Sequence, residues 1–277
     1  MEAVKTVALE KNTSFRRSSR ILGQRRASLY YKHKRKNEDV EIGEMLKDKA
    51  SEKPNWGFRL LFYWCRNQGK KWNRKRVYRV YKAAKLNLRK PKVRKKIKRV
   101  ALNPLPAGKI NEGWSMDFLS DVLVSREQKV RILNILDECS RKVLLCFAAT
   151  SISGRKLVKL IQNVIAQKGN PAYIRCDNGP EFISRALEKF AEENGIEIRF
   201  SQPGKPTQNG LVERLNGTQR NECLNLKYFK TVQEVQDDLD RWWNDYNFDR
   251  PHSSLGYLTP QQFIDNNPSL YFKLVAA

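Results

Sequence analysis

Histidine is almost missing from this chain, with His33 and His252 the only two in 277 residues. Five cysteines are present, none in a Cys-x-x-Cys pair, so the sequence argues against a Cys/His zinc module. Three of the five sit in apolar runs, the setting of reduced, buried thiols in a reducing compartment. No stretch reaches the ~18 uncharged apolar residues a membrane span needs, and no signal peptide opens the chain. A cytoplasmic protein is the simplest expectation. Acidic residues are scarce at the front. Residues 1–100 hold only 8 of the 29 Asp and Glu but 32 of the 54 Lys and Arg. The rest of the chain is nearly balanced, 22 cations against 21 anions. A strongly basic front on a neutral, more apolar back points to a polyanion, above all nucleic acid. A solubilising tail or a surface for anionic membranes is the alternative. The Trp, Tyr and Phe interleaved with the cations weigh against it.

The length allows one or two domains, and 40% hydrophobic residues supply a core. Residues 1–37 form a basic segment in which two short helices could flank Gly23, as in a helix-turn-helix. Residues 38–86 read as a helical DNA-binding domain. Its 38–50 stretch is helical, Phe58 to Arg66 is a compact helix stopped near Gly69, and a further helix starts about Asn73. That last helix has Val77, Val80, Tyr81 and Ala84 on one face. The other face carries Arg74, Lys75, Arg79 and Lys82. Such a pair of stripes suits a helix lying on DNA, or a solvated surface helix. Residues 87–109 read as a basic linker tracking phosphates, since 87–100 is too charged to pack.

From residue 110 to the end the pattern turns to strands. Gly113–Val124, Val130–Cys139 and Arg141–Thr150 are three consecutive strands. A helix over 154–167, a strand Ala172–Asp177, a helix over 180–194 and a strand Glu197–Ser201 follow. Helices over 211–224 and 231–246 close the pattern. The order βββαβαβα, then helix, gives a mixed sheet and not an alternating barrel.

Three acids stand out in that half. Asp117 lies in the apolar run Trp114-Ser-Met-Asp-Phe-Leu, on the strand face opposite Trp114, Met116 and Phe118. Asp177 ends its strand, where open α/β sheets bind ligands. Glu213 falls on the first turn of a helix, with Arg220 two turns on along the same face. Three carboxylates brought together repel, and a hard divalent cation relieves the repulsion. Each acid alone reads as a turn, edge or helix-start residue. The element order that can converge them favours a metal site. Asp137 and Glu138 read as turn residues or an outer shell, and Asp121 and Glu181 are similar.

Several runs carry a resemblance. Trp114-Ser-Met-Asp, Asp137-Glu-Cys-Ser-Arg, Arg175-Cys-Asp-Asn-Gly-Pro-Glu-Phe, Pro206-Thr-Gln-Asn-Gly-Leu-Val-Glu-Arg-Leu-Asn-Gly and Tyr246-Asn-Phe-Asp-Arg-Pro-His-Ser-Ser-Leu-Gly-Tyr-Leu-Thr-Pro resemble the catalytic domain shared by retroviral integrases and insertion-sequence transposases. They come nearest to the second-frame (OrfB) product of the IS-three family. The 35 residues between Asp177 and Glu213 match that family's Asp-Asp-Glu signature. The resemblance implies an α/β, ribonuclease H-like mixed sheet with flanking helices, preceded by a basic all-α region. It implies that Asp117, Asp177 and Glu213 are catalytic and bind two Mg²⁺ (or Mn²⁺) ions. It implies DNA contacts by Arg220 and by the Gly204–Gly210 loop and its flank, through Lys205, Gln208, Asn209 and Arg214. The expected activity is Mg-dependent cleavage and 3′-OH strand transfer at element ends. A metal-dependent nuclease and a non-catalytic DNA-binding regulator are the alternatives. The implied partners are element-end and target DNA, further copies of the chain on DNA, and an upstream-frame protein, at the bacterial nucleoid and without a membrane. Arg250, His252 and Ser253 are expected to tie the last helix to the domain, with a direct DNA contact by Arg250 as the alternative.

Overall fold

The computed structural model describes residues 2–23, 36–88, 106–124, 128–202 and 206–272. Two compact units divide the chain, residues 1–46 and residues 47–277. In the first, α1 (Glu2–Glu10) is followed by α2 (Phe15–Ile21), capped where the Ser14 hydroxyl accepts from the Arg17 amide. The chain turns at Gly23 with φ 62°. The partner helix expected after Gly23, and residues 89–105 of the expected 87–109 linker, lie outside the described residues. The boundary between the units falls inside α3 (Lys36–Glu52).

The second unit opens with the end of α3, then α4 (Phe58–Asn67) and α5 (Arg74–Ala83). As expected, Asn73 caps α5, Val77 and Tyr81 are buried, and Arg74, Lys75, Arg79 and Lys82 are exposed. Phe58 packs against Tyr78 and Tyr81 at 4.8 and 5.4 Å between ring centroids, joining α4 to α5.

The sheet consists of β1 (Gly113–Leu123), β2 (Gln128–Asp137), β3 (Val143–Ala149), β4 (Tyr173–Cys176) and β5 (Glu197–Phe200), in the order β3-β2-β1-β4-β5. β1, β2 and β3 form an antiparallel meander, while β4 and β5 run parallel to β1. This is the ribonuclease H-like arrangement. The helices are α6 (Gly154–Lys168), α7 (Arg185–Glu193), α8 (Gly210–Glu222), α9 (Val232–Asn244) and α10 (Pro260–Asn266).

Alternation along the strands makes two cores. Trp114, Met116, Leu133, Ile135 and Ile174 pack with α6 and α7. Val130, Ile132, Leu136 and Val143 pack with Val212 and Leu215 of α8 and with Val235 and Leu239 of α9. One glycine is required by close approach. A Cβ on Gly113 would lie 2.1 Å from Tyr173 Cζ, so the start of β1 can pass β4 only without a side chain.

The structure departs from expectation at element ends. Residues 180–183 form turns, and the helix waits until Ser184 caps Leu187. The last long helix ends at Asn244 and widens into a π turn over Asp245–Asp249. α10 was not expected. It opens on Thr259 and Gln262, which cap each other reciprocally. Beyond it, Tyr271 pairs with Ile110 in a parallel bridge.

Candidate active site

Asp117 sits mid-strand on β1, half-buried, with its Cα opposite Asn134 of β2. Its Oδ1 accepts from the Phe118 amide at 2.8 Å, and its Oδ2 accepts from Asn216 Nδ2 at 2.8 Å. Asn216 belongs to α8, three residues after Glu213. Asn134 Nδ2 donates to Asn216 Oδ1 and to Gln219 Oε1, both at 2.7 Å. Gln219 Nε2 returns a bond to Asn134 Oδ1 at 3.0 Å. These three amides are buried, and their polarity is linked. Because the oxygen of Asn216 is occupied by Asn134, its NH₂ must face the carboxylate.

Asp177 is exposed at the end of β4, its Oδ1 accepting from the Gly179 amide at 2.9 Å. Glu213 is exposed on the first turn of α8. The three acids share one field. Burial pushes the Asp117 carboxyl up to about 6, and the negative charges of Asp177 and Glu213 push it the same way. Burial also raises Glu213. Among the described residues, no three His, Cys, Asp or Glu side chains stand close enough to form a ready-made metal cage. The donor chemistry nevertheless suits a hard divalent cation. The oxygens are carboxylate, and the unrelieved repulsion on the most enclosed of them is what a hard cation would relieve.

The other expected contacts are placed as follows. Arg214 is exposed on α8. Arg220 Nη2 donates to the Ser120 carbonyl at 2.9 Å, fastening α8 to β1. Gln208 closes the base of the loop before α8, its Oε1 accepting from the Gln202 amide at 2.7 Å. Asn209 is buried and donates to the Met116 carbonyl at 3.3 Å, while its Oδ1 has no partner among the described residues. Lys205 lies outside the described residues. No helix among the described residues is long and apolar enough to cross a membrane.

Asp137 and Glu138 form a buried hub at the end of β2. Asp137 accepts from the Asn111 and Cys139 amides and from Ser140 Oγ. Glu138 Oε1 accepts from Ser115 Oγ at 2.5 Å and Arg175 Nε at 2.8 Å, and its Oε2 from Tyr173 Oη at 2.8 Å. These donors hold Glu138 below the usual range although burial alone would raise it. Arg250 forks onto Glu222 at 2.9–3.1 Å and ties the segment after α9 to the far end of α8. His252, buried, lies 3.4 Å from the Tyr246 carbonyl.

The amide group of Asn134, Asn216 and Gln219 was missed from sequence. Its one legible sign is the spacing of Glu213, Asn216, Gln219 and Arg220, polar positions on adjoining rows of one helix.

Known proteins resemble this chain over most of its length. Two family models, both described as integrase core domain, match residues 108–206 and 194–260. The chain is 37% identical to the insertion element IS407 uncharacterized 31.7 kDa protein of Burkholderia multivorans, over 91% of each chain. It is 32% identical to the insertion element IS476 uncharacterized 39.2 kDa protein of Xanthomonas euvesicatoria, over 98% of this chain and 81% of that one. Transposase InsD for insertion element IS2D of Escherichia coli is 24% identical, over 83% and 80%. Among solved structures, the HTLV-2 integrase catalytic core domain in complex with magnesium reaches a TM-score of 0.44 at 21% identity, covering 57% of this chain and 99% of that one. That likeness is too loose to bear on the site.

Proposed function

Since this chain belongs to the insertion-element transposases that carry an integrase core, and so to the IS-three group its motifs resemble, we propose that it cuts DNA at element ends and joins the freed 3′-OH to a second strand. The observation that carries the reading is the shared field of Asp117, Asp177 and Glu213, which come from three separate parts of the chain. In this reading they hold two Mg²⁺ or Mn²⁺ ions. Such ions, when bound, polarise the phosphoryl and leaving oxygens of an in-line displacement.

The chain's own groups orient the donors. Asn216 and the Phe118 amide fix the plane of the Asp117 carboxylate, and the Gly179 amide fixes one oxygen of Asp177. Water is the nucleophile in the first step, and the phosphodiester it attacks leaves a 3′-OH. That hydroxyl attacks phosphorus in the second step, expelling another 3′ oxygen. One ester bond is exchanged for another, so no nucleotide cofactor is needed.

DNA is held in this reading by Arg214, Arg220, Gln208, Asn209 and Lys205 near the acids. The exposed stripe of α5, Arg74, Lys75, Arg79 and Lys82, holds a second stretch. The divisions at residues 37, 86 and 109, assembly of several copies on DNA, association with an upstream-frame protein, and a site of action on the cytoplasmic chromosome belong to the same reading.

The test uses purified protein, Mg²⁺ and an element-end duplex labelled at the 5′ end of the strand to be cut. Nicked and joined products are expected. Asp117→Asn, Asp177→Asn and Glu213→Gln should each lower both by several orders of magnitude while gel-shift affinity holds. A variant of the three that joins ends at the parental rate would sink the assignment. Nicks without joined products would make the protein a nuclease. Neutralising the cations of 87–100 should flatten the dependence of binding on salt.

A further inference from the structure

Beside Glu213 lies a half-open cavity of about 390 Å³, within the range of small-ligand sites. Arg141, Arg175 and Arg214 line it together with Glu138, Glu213 and Gln208. The anions there do not balance the cations. Glu138 is already committed to Arg175, Ser115 and Tyr173. Glu213 is one of the three acids assigned to the metal.

Arg141 is the unexplained member. No carboxylate among the described residues lies within ion-pair distance of it, and its guanidinium donates to the backbone carbonyl of Glu138. Burial presses its pKa below the ordinary arginine value. Its backbone has φ 60°, the left-handed region that suits glycine and strains other residues. The fold thus tolerates at one position a strained backbone and a half-buried cation that feels Glu138 and Asp137 only at a distance, and both would vanish with glycine. Strain of this kind gathers at functional positions.

We propose that this cavity takes one nucleotide of a DNA strand, with its phosphate in the fork of Arg141 and Arg214 at the mouth. The inference rests on the strand-transfer reading and adds the place where the strand beside the scissile link is gripped. Arginine presents two parallel N–H donors to a phosphate, which lysine cannot do.

The full-length protein is titrated with the dinucleotide pTpT. Element-end duplexes carrying one methylphosphonate at successive linkages are tested for cleavage alongside. Arg141→Gly should bind pTpT roughly tenfold or more weakly with a Tm equal to or above the parent's, and Arg141→Lys should fall between. One neutral linkage near the cut should slow the parent and leave Arg141→Gly no slower than it already is. The proposal is overturned if Arg141→Gly binds pTpT as the parent does. It is equally overturned if that variant melts far lower and Arg141→Lys restores it, since the side chain would then be structural. If the parent cuts no element end while pTpT binding still depends on Arg141, the cavity stands and the strand-transfer reading falls.

Discussion

The surroundings of Glu138 and those of Asp117 are neighbouring regions of one sheet, and they treat a carboxylate in opposite ways. Around Glu138, strand side chains and a backbone amide fill both oxygens, and Arg175 supplies the balancing charge. The group is pulled toward its ionised form despite near-complete burial. Around Asp117 the donors are fewer, no cation among the described residues pairs with it, and two further acids act on it. The first region is a finished structural network. The second carries unrelieved charge, which costs stability and is available for binding a cation.

Glu138→Ala should break this contrast most severely. It strands the buried Arg175 guanidinium, and removal of one partner from a buried pair costs about 3–5 kcal/mol. Urea unfolding should show a loss of that order. A parental midpoint would mean the network is idle.

Asn134→Leu comes next. It removes the amide that satisfies Asn216 and Gln219, at about 2 kcal/mol. It also frees Asn216 to present its oxygen to Asp117, so cleavage should fall further than the lost stability explains.

Asp117→Asn should have the reverse sign. Between the unfolded value of 3.8 and about 6, the native chain holds a proton that the unfolded chain has released. Stability therefore falls as pH rises through that window. The amide removes the effect, so the variant should gain on the order of 1 kcal/mol at pH 7, read as a higher Tm, and gain nothing below pH 3.8. An equal gain at both would refute the electrostatic account.

The smallest effect at neutral pH concerns His252, a third buried group, whose pKa burial lowers from 6.5 to about 3. As pH falls between those values, the unfolded chain gains a proton that the native chain refuses, and stability declines. Replacement by Gln should flatten that slope in acid melts without altering it above pH 6.5.

Much of this was legible in the sequence. Strand alternation around Trp114, Met116 and Asp117 announced which face each residue takes, because one side of the sheet is uniformly apolar. The motifs marked Asp117, Asp177 and Glu213. The relay through Asn134 could not be read, since amides carry no periodic signal and its register with Asn216 spans 82 residues. The left-handed backbone of Arg141 was equally hidden, as nothing in a residue's identity announces a strained φ when glycine is absent. Helix ends shifted for local reasons: Ser184 is a better cap than the turn at Pro180.

The π turn after α9 has a further consequence. Asp245 and Asp249 grip Lys53 and Lys49, and Asp249 also accepts from Trp64 Nε1 at 2.7 Å. Tyr257 stacks on Tyr63 at 3.5 Å, and Arg250 secures Glu222. A premature stop codon just ahead of Asp245 would spare every strand and all three acids, yet cut the ion pairs and ring stacking that fasten α3 and α4 to the segment after α9, leaving the Asn55 bond to the Asn221 carbonyl as a remaining link to the helix that bears Glu213. Decaying copies of such a gene should fall silent at that point while Asp117, Asp177 and Glu213 still read as intact.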